Sequence, residues 1–341
     1  MINRRKFIAG TSALAIGSTT LASTAWASTS KASSPANPNS NHFQDQDSKN
    51  QDSEANSAET SNAGTSNAAA TPAPFKKAVK IGMVKLGENV DLLTKFKVLK
   101  ELGYDGVELN SPGGPDKDEV RKAIEESGLP VHGVVDSIHW QKTLSHSDEA
   151  IRAEGLDGLK KALQDAKDYG GTSVLLVPGV VNDDANYEQC WERSIPEIKK
   201  ALPLAEELQI DILFENVWNN FLTDPDETAK YIDAFESERV GAYYDVGNSV
   251  RYANPVVWVR TLGKRIKKLD IKEFDLALAK ENGNIWEGFK SKLLEGTTGW
   301  YDVIRELKSL GFEGWGTAEI PGGNKERLEE IADRMNQIFS F

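Results

Sequence analysis

From Val79 onward the chain alternates short apolar runs with segments of helical period, and it does so eight times. Apolar runs too short for helices, each followed by an amphipathic stretch, are the signature of parallel βα units. The runs predict strands over Val79–Lys85, Gly106–Ser111, Val131–Asp136, Ser173–Pro178, Asp211–Val217, Val240–Val246, Ile266–Lys272 and Trp315–Ile320. Between them the spacing predicts helices over Leu92–Leu102, Asp116–Ser127 and Ala150–Tyr169. Each is stopped by glycine, at Gly103, Gly128 and Gly170, as helix C-termini favour. Eight parallel strands in a segment near the roughly 250 residues of a (β/α)8 barrel predict a single-domain α/β TIM barrel over 76–341. A doubly wound sheet would want a glycine-rich phosphate loop after the first strand. The chain has Met83-Val84-Lys85-Leu86-Gly87-Glu88 there instead.

The first 75 residues lack that pattern. Asn3-Arg4-Arg5-Lys6-Phe7-Ile8 is a twin-arginine motif, an apolar run of small residues follows, and Ala25-Trp26-Ala27 supplies a cleavage signal. Residues 1–27 therefore read as a signal peptide for twin-arginine export to the periplasm or another extracytoplasmic space, too short and polar for stable membrane insertion. Residues 28–75, rich in Ser, Asn and Ala, cannot bury enough apolar surface to offset ordering entropy and read as a disordered linker.

Residues 1–75 hold five basic and five acidic side chains, so the net charge of −12 belongs to the predicted barrel. An acidic barrel gains nothing from counterion release and is a poor partner for nucleic acid. The one cysteine, Cys190, allows no intramolecular disulfide and lies in a helical stretch, where a packed thiol is expected.

Barrel chemistry sits at the C-terminal ends of the strands. There Glu215 follows Ile212-Leu213-Phe214, Asp245 follows Tyr243-Tyr244, Asp270 follows Leu269, and Glu319 follows Thr317-Ala318. Four acids converging from apolar settings would repel one another unless a cation lay among them, and an all-oxygen set favours Mg2+ or Mn2+. Further candidates for substrate contact are Glu108, His139, Trp218, Asn248, Arg251 and Lys272, each with a structural role as its alternative. His132, at the start of a strand, reads as structural.

The phrases ILFENVWNNFL (212–222), YYDVGNSVRYANP (243–255), IKKLDIKEFD (266–275), LLEGTTGW (293–300) and GWGTAEIPGG (314–323) resemble the xylose-isomerase-like TIM-barrel superfamily, which includes sugar-phosphate isomerases and epimerases. The resemblance implies one divalent metal held by Glu215, Asp245, position 270 and Glu319, with the two glutamates as the acid–base pair. It implies proton abstraction beside a carbonyl, an enediolate, and isomerisation or epimerisation of a small carbohydrate. Two positions depart from the pattern. The superfamily usually carries His at 270, where this chain has Asp, and some epimerases carry His where this chain has Asn248. A sugar-derivative dehydratase and a non-catalytic sugar-binding barrel with a decayed metal site stay open, as does a homo-oligomer.

Overall fold

The structure, a computed structural model, describes residues 75–341. The expected signal peptide and the linker up to residue 74 lie outside the described residues. Eight strands form the ring: β1 (Phe75–Lys80), β2 (Gly106–Ser111), β3 (Val131–Asp136), β4 (Ser173–Leu176), β5 (Asp211–Glu215), β6 (Val240–Asp245), β7 (Ile266–Ile271) and β8 (Gly314–Ala318). Every neighbouring pair is parallel, and β1 closes the barrel by pairing with both β2 and β8. The chain is thus the expected (β/α)8 barrel. Among the described residues no helix is long and apolar enough to cross a membrane.

The helices follow their local signals. Leu92–Glu101 starts at Asp91, whose side chain accepts from Thr94 N. Lys117–Ser127 starts at Asp116 and ends at Gly128 with φ 67°, a left-handed cap that costs glycine nothing. Glu149–Asp168 packs Leu156, Leu159, Leu163 and Ala166 inward, the i, i+3, i+4 stripe of a half-buried helix. Cys190 is buried in the helix Tyr187–Lys199, its thiol 3.3 Å from Val180 O.

The first strand corrects the expectation. It runs Phe75–Lys80, not Val79–Lys85, and Ile81–Met83 makes a 3-10 turn. Register with β8, from Phe75 opposite Gly314 to Val79 opposite Ala318, fixes it there. Lys76-Lys77 interrupts the apolar run in sequence, but the Lys77 ammonium reaches Asn336 Oδ1 at 2.8 Å and Ala332 O at 3.3 Å on the helix Lys325–Ser340. Phe75 and Val79 therefore share the outward, helix-facing side of the strand with Lys77, whose stem is buried beside them. Phe75 also belongs to the barrel, one residue earlier than the expected domain boundary. The slip puts Lys80 at the C-terminal end of β1, on the barrel mouth.

Between β7 and the helix Trp300–Ser309 the chain makes a long strap carrying a short helix, Leu276–Glu281, and a 3-10 segment, Ile285–Lys290. One buried carboxylate ties both ends of this strap. Glu273 accepts from Phe274 N (3.2 Å), Leu294 N (2.8 Å), Thr298 N (3.2 Å) and Trp300 Nε1 (2.9 Å). Hydrogen bonds to a charged acceptor are each worth about 1.5–3 kcal/mol. Glu273→Ala should therefore lower unfolding free energy by about 3 kcal/mol or more, read by urea denaturation. Amide exchange should accelerate in residues 276–298 before the rest of the barrel; a uniform change across the chain would refute the tethering role.

Candidate active site

Strand alternation explains why the acids meet. Residues two apart on a strand share a face. Inside the barrel Leu213 and Tyr243 pack with Leu175, Tyr243 OH lies 2.7 Å from Thr317 Oγ1, and Lys268 Nζ contacts His132. Two residues further along the same strands come Glu215, Asp245, Asp270 and Glu319. The chain therefore stacks a layer of four acids on a layer of Leu213, Tyr243, Lys268 and Thr317. One carboxylate oxygen from each of the four lies within 4.8 Å of the others. Asp245 and Asp270 are fully buried, Glu215 is nearly so, and the Glu319 side chain keeps 32 % of its surface exposed, which makes it the one most open to a ligand from the mouth.

Two lysines reach into this ring. Lys80 Nζ donates to Asp270 Oδ2 at 2.9 Å and lies 3.2 Å from Glu319 Oε1. Lys272 Nζ lies 2.7 Å from Asp245 Oδ2 and 2.8 Å from Glu319 Oε2. Glu215 has no ion-pair partner among the described residues. Asp245 is held most rigidly. Its backbone N donates to Asn216 Oδ1 and its carbonyl accepts from Asn216 Nδ2, both at 2.8 Å. Its carboxylate accepts from Asn248 N (2.8 Å) and Asn248 Nδ2 (2.7 Å).

Charge environment differs from acid to acid. Burial, then repulsion from Glu319, drives the Glu215 carboxyl well above the carboxylate range. Burial also raises Asp270 strongly, against the pull of Lys80, and raises Asp245 to about 6, against Lys272. For Glu319 burial is outweighed by Lys272 and Lys80, and its carboxyl falls below the usual range. For Lys80 burial is likewise outweighed, by Asp270 and Glu319, and the ammonium is held firmly protonated.

The remaining sequence candidates are placed as follows. Glu108 is fully buried on β2, opposite Lys80 in register, with neither carboxylate oxygen hydrogen-bonded. His139 is buried, and its Nδ1 accepts from Val177 N at 3.2 Å. That bond fixes a neutral ring with its proton on Nε2, and burial followed by Lys80 lowers its pKa to about 3. Trp218 donates from Nε1 to Asn248 O at 2.9 Å. Its ring packs on Phe289 (4.6 Å between centroids), Trp286 (5.0 Å) and Phe274 (5.1 Å), and the Arg251 guanidinium lies 4.7 Å over it. Asn248 spends its amide on Asp245 and on Asn216 O. Lys272 bridges two of the acids, as above. His132, expected to be structural, is buried in the barrel, where it stacks on Trp315 at 4.6 Å.

Sequence reasoning missed Lys80, Asn216 and the strap aromatics Trp286 and Phe289. Asn216, immediately after Glu215, carried a signal, because an asparagine beside a strand-end acid often brackets neighbouring backbone. Trp286 and Phe289 carried none before the strap was seen to fold onto Trp218.

Whether these residues suit a divalent cation is decided by their own atoms. Asp270 Oδ1 is buried without a hydrogen-bond partner, and so is Glu319 Oε2, whose 2.8 Å contact with Lys272 has poor hydrogen-bond geometry. Unpartnered buried carboxylate oxygens beside two further acids are what a hard cation with oxygen ligands requires. The donor set fits.

Residues 96–338 match the family described as xylose isomerase-like TIM barrel. The chain belongs to this family. A curated relative, L-ribulose-5-phosphate 3-epimerase UlaE of Escherichia coli O1:K1 / APEC, is 28 % identical over 177 residues, which cover 48 % of this chain and 62 % of that protein. The family's fold is also seen in solved structures. The apo form of 3-keto-D-glucoside 4-epimerase YcjR from E. coli superposes with TM-score 0.65 at 15 % identity, covering 78 % of this chain and 100 % of that one. A D-tagatose 3-epimerase-like protein superposes with TM-score 0.64 at 18 % identity, covering 78 % and 97 %.

The Asn216 bracket gives a direct test of how the site is built. Asn216→Ala removes both backbone bonds to Asp245 and should cost about 2 kcal/mol in urea unfolding. Loss below about 0.5 kcal/mol would show that β5 and β6 hold Asp245 without it.

Proposed function

We propose that this protein is a metal-dependent epimerase of a sugar derivative, working by proton removal beside a carbonyl. The observation that carries the reading is the convergence of Glu215, Asp245, Asp270 and Glu319 within 4.8 Å at the barrel mouth. These four would hold one Mn2+ or Mg2+, which when bound polarises a carbonyl and steadies negative charge on its oxygen. The curated relative is named as a sugar-phosphate 3-epimerase, and that likeness supports the choice of chemistry.

The chain's own groups divide the remaining work. Glu215 and Glu319 come from opposite sides of the ring, on β5 and after β8. One takes the proton from the carbon next to the carbonyl, leaving an enediolate, and the same residue or its opposite returns it. Return to the other face of the same carbon inverts it, whereas return to the neighbouring carbon would isomerise the sugar. Lys80 and Lys272 keep Glu319 fixed while the proton moves. His139 offers an Nε2–H that can donate to a substrate hydroxyl but cannot take a proton from an acid at neutral pH. Trp218, backed by Phe274 and Phe289, offers an apolar face for the carbon side of a sugar.

Export, read from residues 4–27, bears on the substrate class. Sugar phosphates are mainly cytoplasmic, so free or oxidised sugars and keto-glycosides suit an exported protein better than the phosphorylated substrate of the curated relative.

The decisive experiment follows solvent deuterium into a panel of free ketoses, keto-glycosides and ketose phosphates, with Mn2+ present. Glu215→Gln and Glu319→Gln should each slow exchange at the epimerised carbon by about 10²–10⁴-fold. Exchange at full rate in both variants would remove the two-carboxylate mechanism. Loss of water from the sugar, instead of an epimer, would establish the dehydratase alternative. Substrate contact at Trp218 is tested separately: Trp218→Ala should raise KM by about tenfold and leave kcat within about threefold. An unchanged KM would leave Trp218 as packing for the strap alone.

A further inference from the structure

The charge of the acidic ring is set as much by lysine as by carboxylate. Asp270, Lys80, Glu319, Lys272 and Asp245 alternate in sign, with contacts of 2.9, 3.2, 2.8 and 2.7 Å between successive members. With all four carboxylates ionised, as a bound cation requires of its ligands, they and the two ammonium groups sum to −2, the complement of one divalent cation. Lys80 enters from the end of β1, passes β8 and reaches β7. Its Nζ lies 5.7 Å over the ring of Tyr243 from β6, so an aromatic face supports the cation inside the barrel. Its side chain is only 13 % exposed. A lysine buried this far is there to meet a charge, because an ammonium loses most of its hydration on the way.

Asp270 is divided by this contact. One oxygen, Oδ2, accepts from Lys80; the other, Oδ1, is buried and bonded to nothing. Asp270 is one of the four acids that each bring a carboxylate oxygen within 4.8 Å of the others, and Oδ1 is the oxygen that Lys80 leaves free. Building on the metal reading above, we propose that Lys80 and Asp270 act as one ligand unit. Lys80 holds Oδ2 and cancels the aspartate charge, so that Asp270 presents Oδ1 to the cation as a neutral donor would and the site stays at −2. Lys80 is thus a positioning residue for the metal ligand. The pairing also accounts for the Asp at a position where the resemblance led us to expect a neutral imidazole: the added negative charge arrives with its own counter-charge from another strand.

The proposal makes cation affinity follow the net charge of the ring. That charge is −2 in the native chain, −3 in Lys80→Met, −1 in Asp270→Asn, and −2 again in the double variant. The test is titration calorimetry of Mn2+ into the EDTA-stripped, full-length chain, with the melting temperature of the metal-free protein as a second readout. Asp270→Asn should weaken Mn2+ binding by about tenfold or more, because a ligand loses its negative charge beside the cation. Adding Lys80→Met to that variant should restore the Kd to within about threefold of the native value, since the site charge is restored. Lys80→Met alone should lower the melting temperature of the metal-free protein by several degrees, and saturating Mn2+ should return most of that loss. A double variant as weak as Asp270→Asn alone, or a Lys80→Met protein with native stability and native affinity, overturns the pairing while the metal reading stands. A native chain that takes up no Mn2+ overturns both.

Discussion

Three buried carboxylates and a fourth, half-buried one converging on one point are the constraint around which the upper half of this barrel is organised. Like charges at such separations repel by several kcal/mol even when generously screened, and nothing apolar can relieve that. The fold answers with two lysines from different strands, two asparagines bracketing Asp245, and a histidine locked neutral against β4. Each answer comes from another part of the ring: Lys80 from β1, Asn216 from the end of β5, Lys272 from the end of β7. The closed barrel is what allows this. Only in a ring can an arm from the first strand reach past the eighth to the seventh.

Below the acids the interior stays polar instead of reverting to a plain hydrocarbon core. Lys268 contacts the ring nitrogen of His132 at 3.1 Å and its carbonyl at 2.6 Å, His132 contacts Thr317 at 3.1 Å, and Thr317 meets Tyr243. Burial leads in lowering Lys268 to about 8 and in pushing His132 well down, with Lys268 itself adding to the latter. Burial raises Glu108, against the pull of Lys80 and Lys268. This column sets a field of mixed sign beneath the ring. Interior layers of small TIM barrels are usually branched aliphatics, so the polar floor here costs stability that the chain would not spend for packing alone.

The barrel and its four acids were legible because both rest on local pattern. Alternating apolar runs mark strands, and an acid directly after such a run marks a strand end whatever the distant contacts are. What stayed hidden depends on register between elements far apart in sequence. Apolar pattern alone started β1 at Val79, because Lys76-Lys77 interrupts the apolar run and Ile81-Gly82-Met83 looks like a strand. Pairing with β8 moved it, and that shift alone converts Lys80 from an ordinary strand lysine into a member of the ring. β2 and β3 lie as expected, and the other strand ends moved by one or two residues, too little to change which face each acid occupies. Asn248 was readable as a polar group near the site, but its engagement with Asp245 follows from the one-turn helix Val246–Ser249, which Asp245 caps, not from composition.

The strap shows how the same logic reaches the mouth. Lys272 and Glu273 are neighbours on the chain with opposite tasks. Lys272 turns into the ring to meet Asp245 and Glu319. Glu273 turns away and gathers four donors from both ends of the strap. Fixing those ends holds Phe289 and Trp286 against Trp218, and Trp218 in turn bonds the carbonyl of Asn248. An unbroken series of contacts therefore runs from the acidic ring through Asn248 and Trp218 to the exposed strap. Aromatic wall and acidic ring are thus held in one frame, so a shift in the strap reaches the carboxylate of Asp245 through three contacts.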